Sequence, residues 1–149
     1  MKNAKPLILV LILTGIVIAV LGLNIGLGGI RTLGWQGPTD FIIIADVESF
    51  WLQDSHVRFI GGVWFGVGAV FVLGGVWLKR FDVTLITFCG MIALAGLFRL
   101  STQETSIVFS ASIAPSLIAE LLGAPLLGWW ILRHGQSATL SPPAASLTI

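Results

Sequence analysis

Four long apolar runs constrain this chain more than any other feature. They are Leu7 to about Leu27, Val57 to Leu78, Val83 to about Leu100, and Ile107 to Leu132, and each reaches or approaches the roughly 20 residues that cross a bilayer. In lipid every backbone amide must bond within its own segment or within a closed barrel, so runs this long without alternation are read as helices. The expected fold class is all-α, a four-helix transmembrane bundle forming one membrane domain over residues 1-134. Composition agrees, because only 10% of the 149 residues are charged, against the roughly 25% usual in soluble domains. The lipid bilayer is the first partner.

Charge placement gives the orientation. With four helices, Lys2 and Lys5, then Lys79 and Arg80, then Arg133 fall on one side, which the positive-inside rule makes cytoplasmic, so both termini are expected inside. Trp77, Trp129 and Trp130 stand just before those basic residues, and Trp35 and Trp51 mark the other interface. The uncharged stretch from Pro6 to Ile30 is longer than a signal-peptide core, and a retained anchor is expected. Residues 135-149 are small, polar and proline-bearing, and read as a disordered cytoplasmic tail. A net charge of +1 offers no basic field for nucleic acid.

The first helix carries Gly15, Ala19, Gly22, Gly26 and Gly29 at alternating steps of four and three, a small-residue seam suited to close helix contact. The connection after it bears a turn signal, Gly37-Pro38-Thr39-Asp40. It continues from Phe41 to Leu52 as apolar residues interrupted by Asp46 and Glu48. This reads as an outer amphipathic segment between helices 1 and 2, lying on the membrane surface or folding over the mouth of the bundle. In the second helix Arg58, Gly62 and Gly66 share a face, placing the arginine at the head of a glycine-lined groove.

The fourth run holds the one carboxylate deep in apolar surroundings. Ser112, Ser116, Glu120, Ala124 and Gly128 follow at steps of four, which turns the glutamate toward other helices rather than lipid. Its candidate partners are Arg99 at the outer end of the third helix, where Ala95 one turn earlier leaves room, and Arg58. If helix began at once after Ser106, Glu120 would lie roughly 20 Å below the end of the Arg99 helix at 1.5 Å per residue, beyond reach. Pro115 is at home in a first turn. A later start brings the gap to roughly 8 to 12 Å, which a long guanidinium arm can close in large part. A buried Arg99 and Glu120 pair with Arg58 as second donor is therefore expected, a ligand-binding or structural polar cluster. Asp54, His56, Ser101 and Ser116 are its secondary members.

Asp54-Ser55-His56-Val57-Arg58-Phe59 with Gly62, Trp64 and Gly68, then Gly96 with Arg99 and Ser101, and Glu120 with Pro125 resemble a bacterial family of small four-pass membrane proteins catalogued as a domain of unknown function. The resemblance covers about Asp54 to Leu132 and implies a bacterial inner-membrane protein with four helices. It implies no activity. A more distant, architectural likeness is to the DoxX-like group, some of whose members are small subunits of quinone-linked oxidoreductases.

Catalysis is not expected. The sequence has no Ser/His/Asp grouping, Gly-rich phosphate loop or Cys/His cluster, and the lone Cys89 lies inside an apolar run. His56 and His134 fall at opposite faces, so no metal and no cofactor is expected, and Asp54 beside His56 and Glu48 reads as a solvated helix start. Two functions follow from the residues. One is an accessory or scaffolding membrane protein, packing with a second copy of itself or with other membrane helices. The other is a binder or carrier of a small amphiphile (lipid or quinone-like), anion or proton through Arg58, Arg99 and Glu120.

Overall fold

The computed structural model describes residues 4–32, 44–101 and 105–139. Helix α1 (Lys5–Gly28) ends in a 3-10 turn (Gly29–Arg31), and α2 spans Val47–Val76. Then come α3 (Leu78–Arg99), a single short turn α4 (Thr105–Val108), α5 (Ala114–Ile118), a π-helical turn (Ala119–Gly123) and α6 (Ala124–Thr139). Among the described residues there is no strand, and four helical runs are long and apolar enough to cross a membrane: Lys5–Arg31, Val47–Val76, Leu78–Arg99 and Ala114–Gly135. The chain divides into two compact units, Ile8–Leu78 and Met1–Leu7 with Lys79–Ile149.

The first unit is an α1–α2 hairpin closed by glycine. The predicted seam on α1 packs against α2, where a Cβ at Gly15 would lie 2.7 Å from the carbonyl oxygen of Gly68, and one at Gly22 would lie 2.8 Å from that of Gly61. Gly61, Gly68 and Gly75 repeat at steps of seven, as do Gly15, Gly22 and Gly29, the spacing that keeps one face of each helix on its neighbour. Small residues there bring backbones into contact, the source of packing energy available where lipid is as apolar as the side chains. The expected groove of Gly62 and Gly66 is a different face. Both are exposed, with no atom within 4 Å of an added Cβ, because the contact with α1 turns on Gly61 and Gly68.

Helix α2 begins ten residues before the expected Val57. Asp46 in extended backbone caps it, its carboxylate accepting from the amides of Glu48 at 3.0 Å and Ser49 at 3.3 Å while the Ser49 hydroxyl donates at 2.6 Å. Aspartate before an acidic first turn is a helix start. The part of the amphipathic segment from Val47 to Leu52 is therefore the first turns of α2, and Trp35 and residues 33–43 lie outside the described residues. A helix of 30 residues is about 45 Å long at 1.5 Å per residue, so it outruns a hydrocarbon core of about 30 Å.

Helix α3, which from Lys79 onward belongs to the second unit, starts at Leu78, placing Lys79 and Arg80 in its first turn rather than in a connecting loop. The last helical run starts late, after the turn Phe109–Ile113, with Pro115 in the first turn of α5 where its missing amide costs no helical bond. Buried positions on this run are Leu117, Glu120, Ala124, Gly128 and Ile131, and on α3 they are Leu85, Cys89 and Gly96. The two helices meet antiparallel: a Cβ at Gly128 would lie 3.2 Å from that of Cys89, and one at Gly96 would lie 2.9 Å from that of Glu120. Helix continues to Thr139, so the start of the expected tail is helical, and residues 140–149 lie outside the described residues.

Candidate functional site

Two acid–base contacts stand at helix ends, one in each unit. In the second, Glu120 projects from the π-turn toward α3, and its Oε2 accepts from Arg99 Nε at 2.8 Å. The glutamate side chain is 10% exposed and that of the arginine 44%. The π-turn is marked by the Ala124 amide bonding the carbonyl of Ala119, five residues back. It precedes Pro125, which has no amide to donate, so the backbone widens where one helical bond is lost in any case. Room for the carboxylate comes from Gly96, three residues before Arg99. Ala95, expected to supply that room, is exposed.

Arg58, expected as second donor to Glu120, has its bonds in the first unit. Its Nε donates to Asp54 Oδ2 at 2.6 Å, and Nη1 donates to the carbonyls of Leu27 and, at 3.4 Å, Gly26. Those carbonyls end α1 and lack helical donors, and a cation there also complements the helix dipole. Asp54 Oδ1 accepts from the Ile30 amide at 2.8 Å. Between them lies Gly29 at φ +68, where an added Cβ would strike the Asp54 carboxylate. Asp54 and Arg58 thus clasp the turn that ends α1.

Asp54 is consequently only 4% exposed, not the solvated helix start the sequence suggested, because α2 begins earlier and carries position 54 inside it. Its reach to Ile30 spans 24 positions and has no local signature. The N-cap Asp46, by contrast, was open to reading from Asp-Val-Glu-Ser. Arg31, a further cation at the end of α1, has no partner within its own segment to mark it in the sequence. Its guanidinium lies 5.6 Å from the centre of the Phe50 ring, within cation–π range.

The remaining predicted members are locally engaged. His56 is exposed, and its Nδ1–H donates to the Leu52 carbonyl at 2.9 Å. The Ser101 hydroxyl donates to the Phe98 carbonyl at 2.7 Å, and that of Ser116 to the Ile113 carbonyl at 2.8 Å. Ser112 lies in the turn ahead of α5, off the stripe that continues through Glu120, Ala124 and Gly128. Among the described residues no group of three or more His, Cys, Asp or Glu side chains is placed to hold a metal. Outside the spanning runs, the Asp46 carboxyl is held below its ordinary 3.8, chiefly by the Ser49 hydroxyl and then by the Ser49 amide.

Fold and site together describe a small multi-pass membrane protein with four apolar helices and an arginine–carboxylate contact in each helical unit. The chain belongs to the family described as Domain of unknown function (DUF4345), whose model matches residues 7–131. No curated protein and no solved structure matches it.

Proposed function

We propose that this chain is a non-catalytic accessory or scaffolding protein of the bacterial inner membrane. In this reading residues 1-134 form one domain with both termini in the cytoplasm, packing with a second copy or with other membrane helices. The observation that carries the reading is the use made of the two buried carboxylates. Asp54 and Glu120 each hold an arginine of the same chain, so the ionised groups of the helical runs act as fasteners. The Arg99–Glu120 pair joins α3 to the last helical run, and Asp54 and Arg58, paired within α2, hold the end of α1 through the Ile30 amide and the Leu27 carbonyl, contacts that fix which helices pack together. Large apolar side chains such as Phe59, Leu94, Phe98 and Leu126 remain exposed along the spans for lipid or partner helices. Gentle extraction and sizing tests this. A stable oligomer or a stoichiometric membrane partner is the expected result, and a strictly monomeric, partner-free protein would overturn it.

A second reading is favoured by the state of Arg99. Half-exposed, it has a single bond at Nε, and its two terminal nitrogens have no hydrogen-bond partner among the described residues. In this reading the pair receives the head of a small amphiphile, lipid or quinone-like, or an anion or proton. Glu120→Gln should then abolish ligand-dependent thermal stabilisation. If it only lowers the melting temperature, the fastening reading stands.

A further inference from the structure

We infer that Arg31 and Arg58, gathered around Asp54 at the end of α1, form a binding site for a phosphate-bearing anion, such as the head of an acidic lipid. The inference rests on the amphiphile-binding reading for its ligand class and differs from it in where the head is held.

Three ionised groups meet here, two cationic and one anionic. Both oxygens of Asp54 are already engaged, Oδ2 by Arg58 Nε and Oδ1 by the Ile30 amide. Arg31 stacks on Phe50, one helical turn before Asp54 on α2, and has no hydrogen bond or ion pair among the described residues. Arg58 has one further unbonded nitrogen, Nη2, beside Gly29. Among the described residues the three groups therefore leave one positive charge uncompensated and unbonded N–H donors on both guanidiniums. A tetrahedral oxyanion matches that donor set, since guanidinium edges bind phosphate oxygens in pairs.

Place and preorganisation select this cluster over an ordinary surface arginine. Arg31 closes the apolar run Lys5–Arg31, the level at which lipid phosphates stand. Leu27, one turn before Arg31, and Trp51 and Phe59, which flank Asp54 and Arg58 on α2, are exposed and offer apolar surface for an attached chain. Arg58 is fixed by Asp54 and by the end of α1, and Arg31 by the Phe50 ring, so little side-chain freedom remains to be lost on binding. At the Arg99–Glu120 contact the two charges cancel, and among the described residues no second cation is paired there to hold an incoming anion.

Thermal unfolding of the full chain in a neutral detergent tests the site, titrated separately with phosphatidylglycerol, phosphatidylcholine and inorganic phosphate. Phosphatidylglycerol should raise the melting temperature saturably and more than phosphatidylcholine. Arg31→Gln should weaken its apparent affinity about tenfold while lowering the melting temperature of the lipid-free protein only slightly, by the loss of the contact with Phe50, and Arg31→Lys should recover part of the loss of affinity. Equal stabilisation by inorganic phosphate, lost in Arg31→Gln, would identify the ligand as the free anion at the same site. If Arg31→Gln responds to phosphatidylglycerol like the native chain while Arg99→Gln does not, the inference fails and the amphiphile reading survives. If none of the three ligands stabilises the native chain, both fail.

Discussion

Glu120 Oε2 lies 2.8 Å from Arg99 Nε across two antiparallel helices, and the glycine at position 96 is what lets the carboxylate stand there. A Cβ at Gly96 would sit 2.9 Å from the Cβ of Glu120 and 3.3 Å from its Oε2. The contact therefore depends on a side chain that is missing as much as on the two that are present.

Removing that absence should displace the pair. Gly96→Ala is expected to destabilise the protein by about 1–3 kcal/mol, the usual range for overpacking a fitted contact. Gly90 and Gly62, where an added Cβ meets nothing within 4 Å, provide the contrast. Gly90→Ala and Gly62→Ala should be neutral or should stabilise by up to about 1 kcal/mol through helix propensity. Reversible unfolding in mixed micelles measures all three.

Breaking the pair itself should cost less than a fully buried ion pair would, because Arg99 is 44% exposed and can turn its head to water or lipid phosphates. A double-mutant cycle of Glu120→Gln and Arg99→Gln should return a coupling of about 0.5–2 kcal/mol, the scale of polar contacts measured between membrane helices. A coupling indistinguishable from zero would remove the fastening role.

Gly29→Ala should be among the most damaging single changes in the α1–α2 unit. It places an L side chain at φ +68 and drives its methyl into the Asp54 carboxylate, and the conformational term alone costs about 1–2 kcal/mol. Hydrogen exchange should show the Ile30 amide losing protection ahead of the middle of α1.

Asp54→Asn should be milder than Asp54→Leu. The amide oxygen can still accept from Ile30 N–H, whereas leucine leaves that amide and the Arg58 guanidinium without their acceptor, a loss of about 1–3 kcal/mol when a buried donor is orphaned. Melting temperatures of the two variants should rank accordingly.

The start of α2 should be acid-sensitive. Bonds from the Ser49 hydroxyl and amide favour the ionised Asp46 carboxylate and lower its folded value below 3.8. The carboxyl therefore stabilises the cap fully above the unfolded value, and that contribution disappears as pH falls through the lower folded value. Amides of residues 48–50 should lose exchange protection over that window. Ser49→Ala should move the transition upward toward the ordinary aspartate value.

Much of this protein was legible before any fold was known. Four long, predominantly apolar runs can satisfy their backbone in lipid only by coiling, so the number and approximate place of the spans follow from the apolar pattern alone. The α1 glycine seam and the late start at Pro115 follow from spacing and from the missing proline amide, both local properties. The pairing of charges was different. Arg58 was one turn from Asp54 and equally available, on paper, to Glu120. Only the folded hairpin, by carrying the end of α1 back to position 54, gave that carboxylate a second donor and that guanidinium two carbonyls. Sequence spacing tells which residues share a helix face. Which of those faces approach closely enough for a charge to be satisfied is decided by tertiary packing, because electrostatic and hydrogen-bond energies fall away over a few ångströms that sequence distance does not measure.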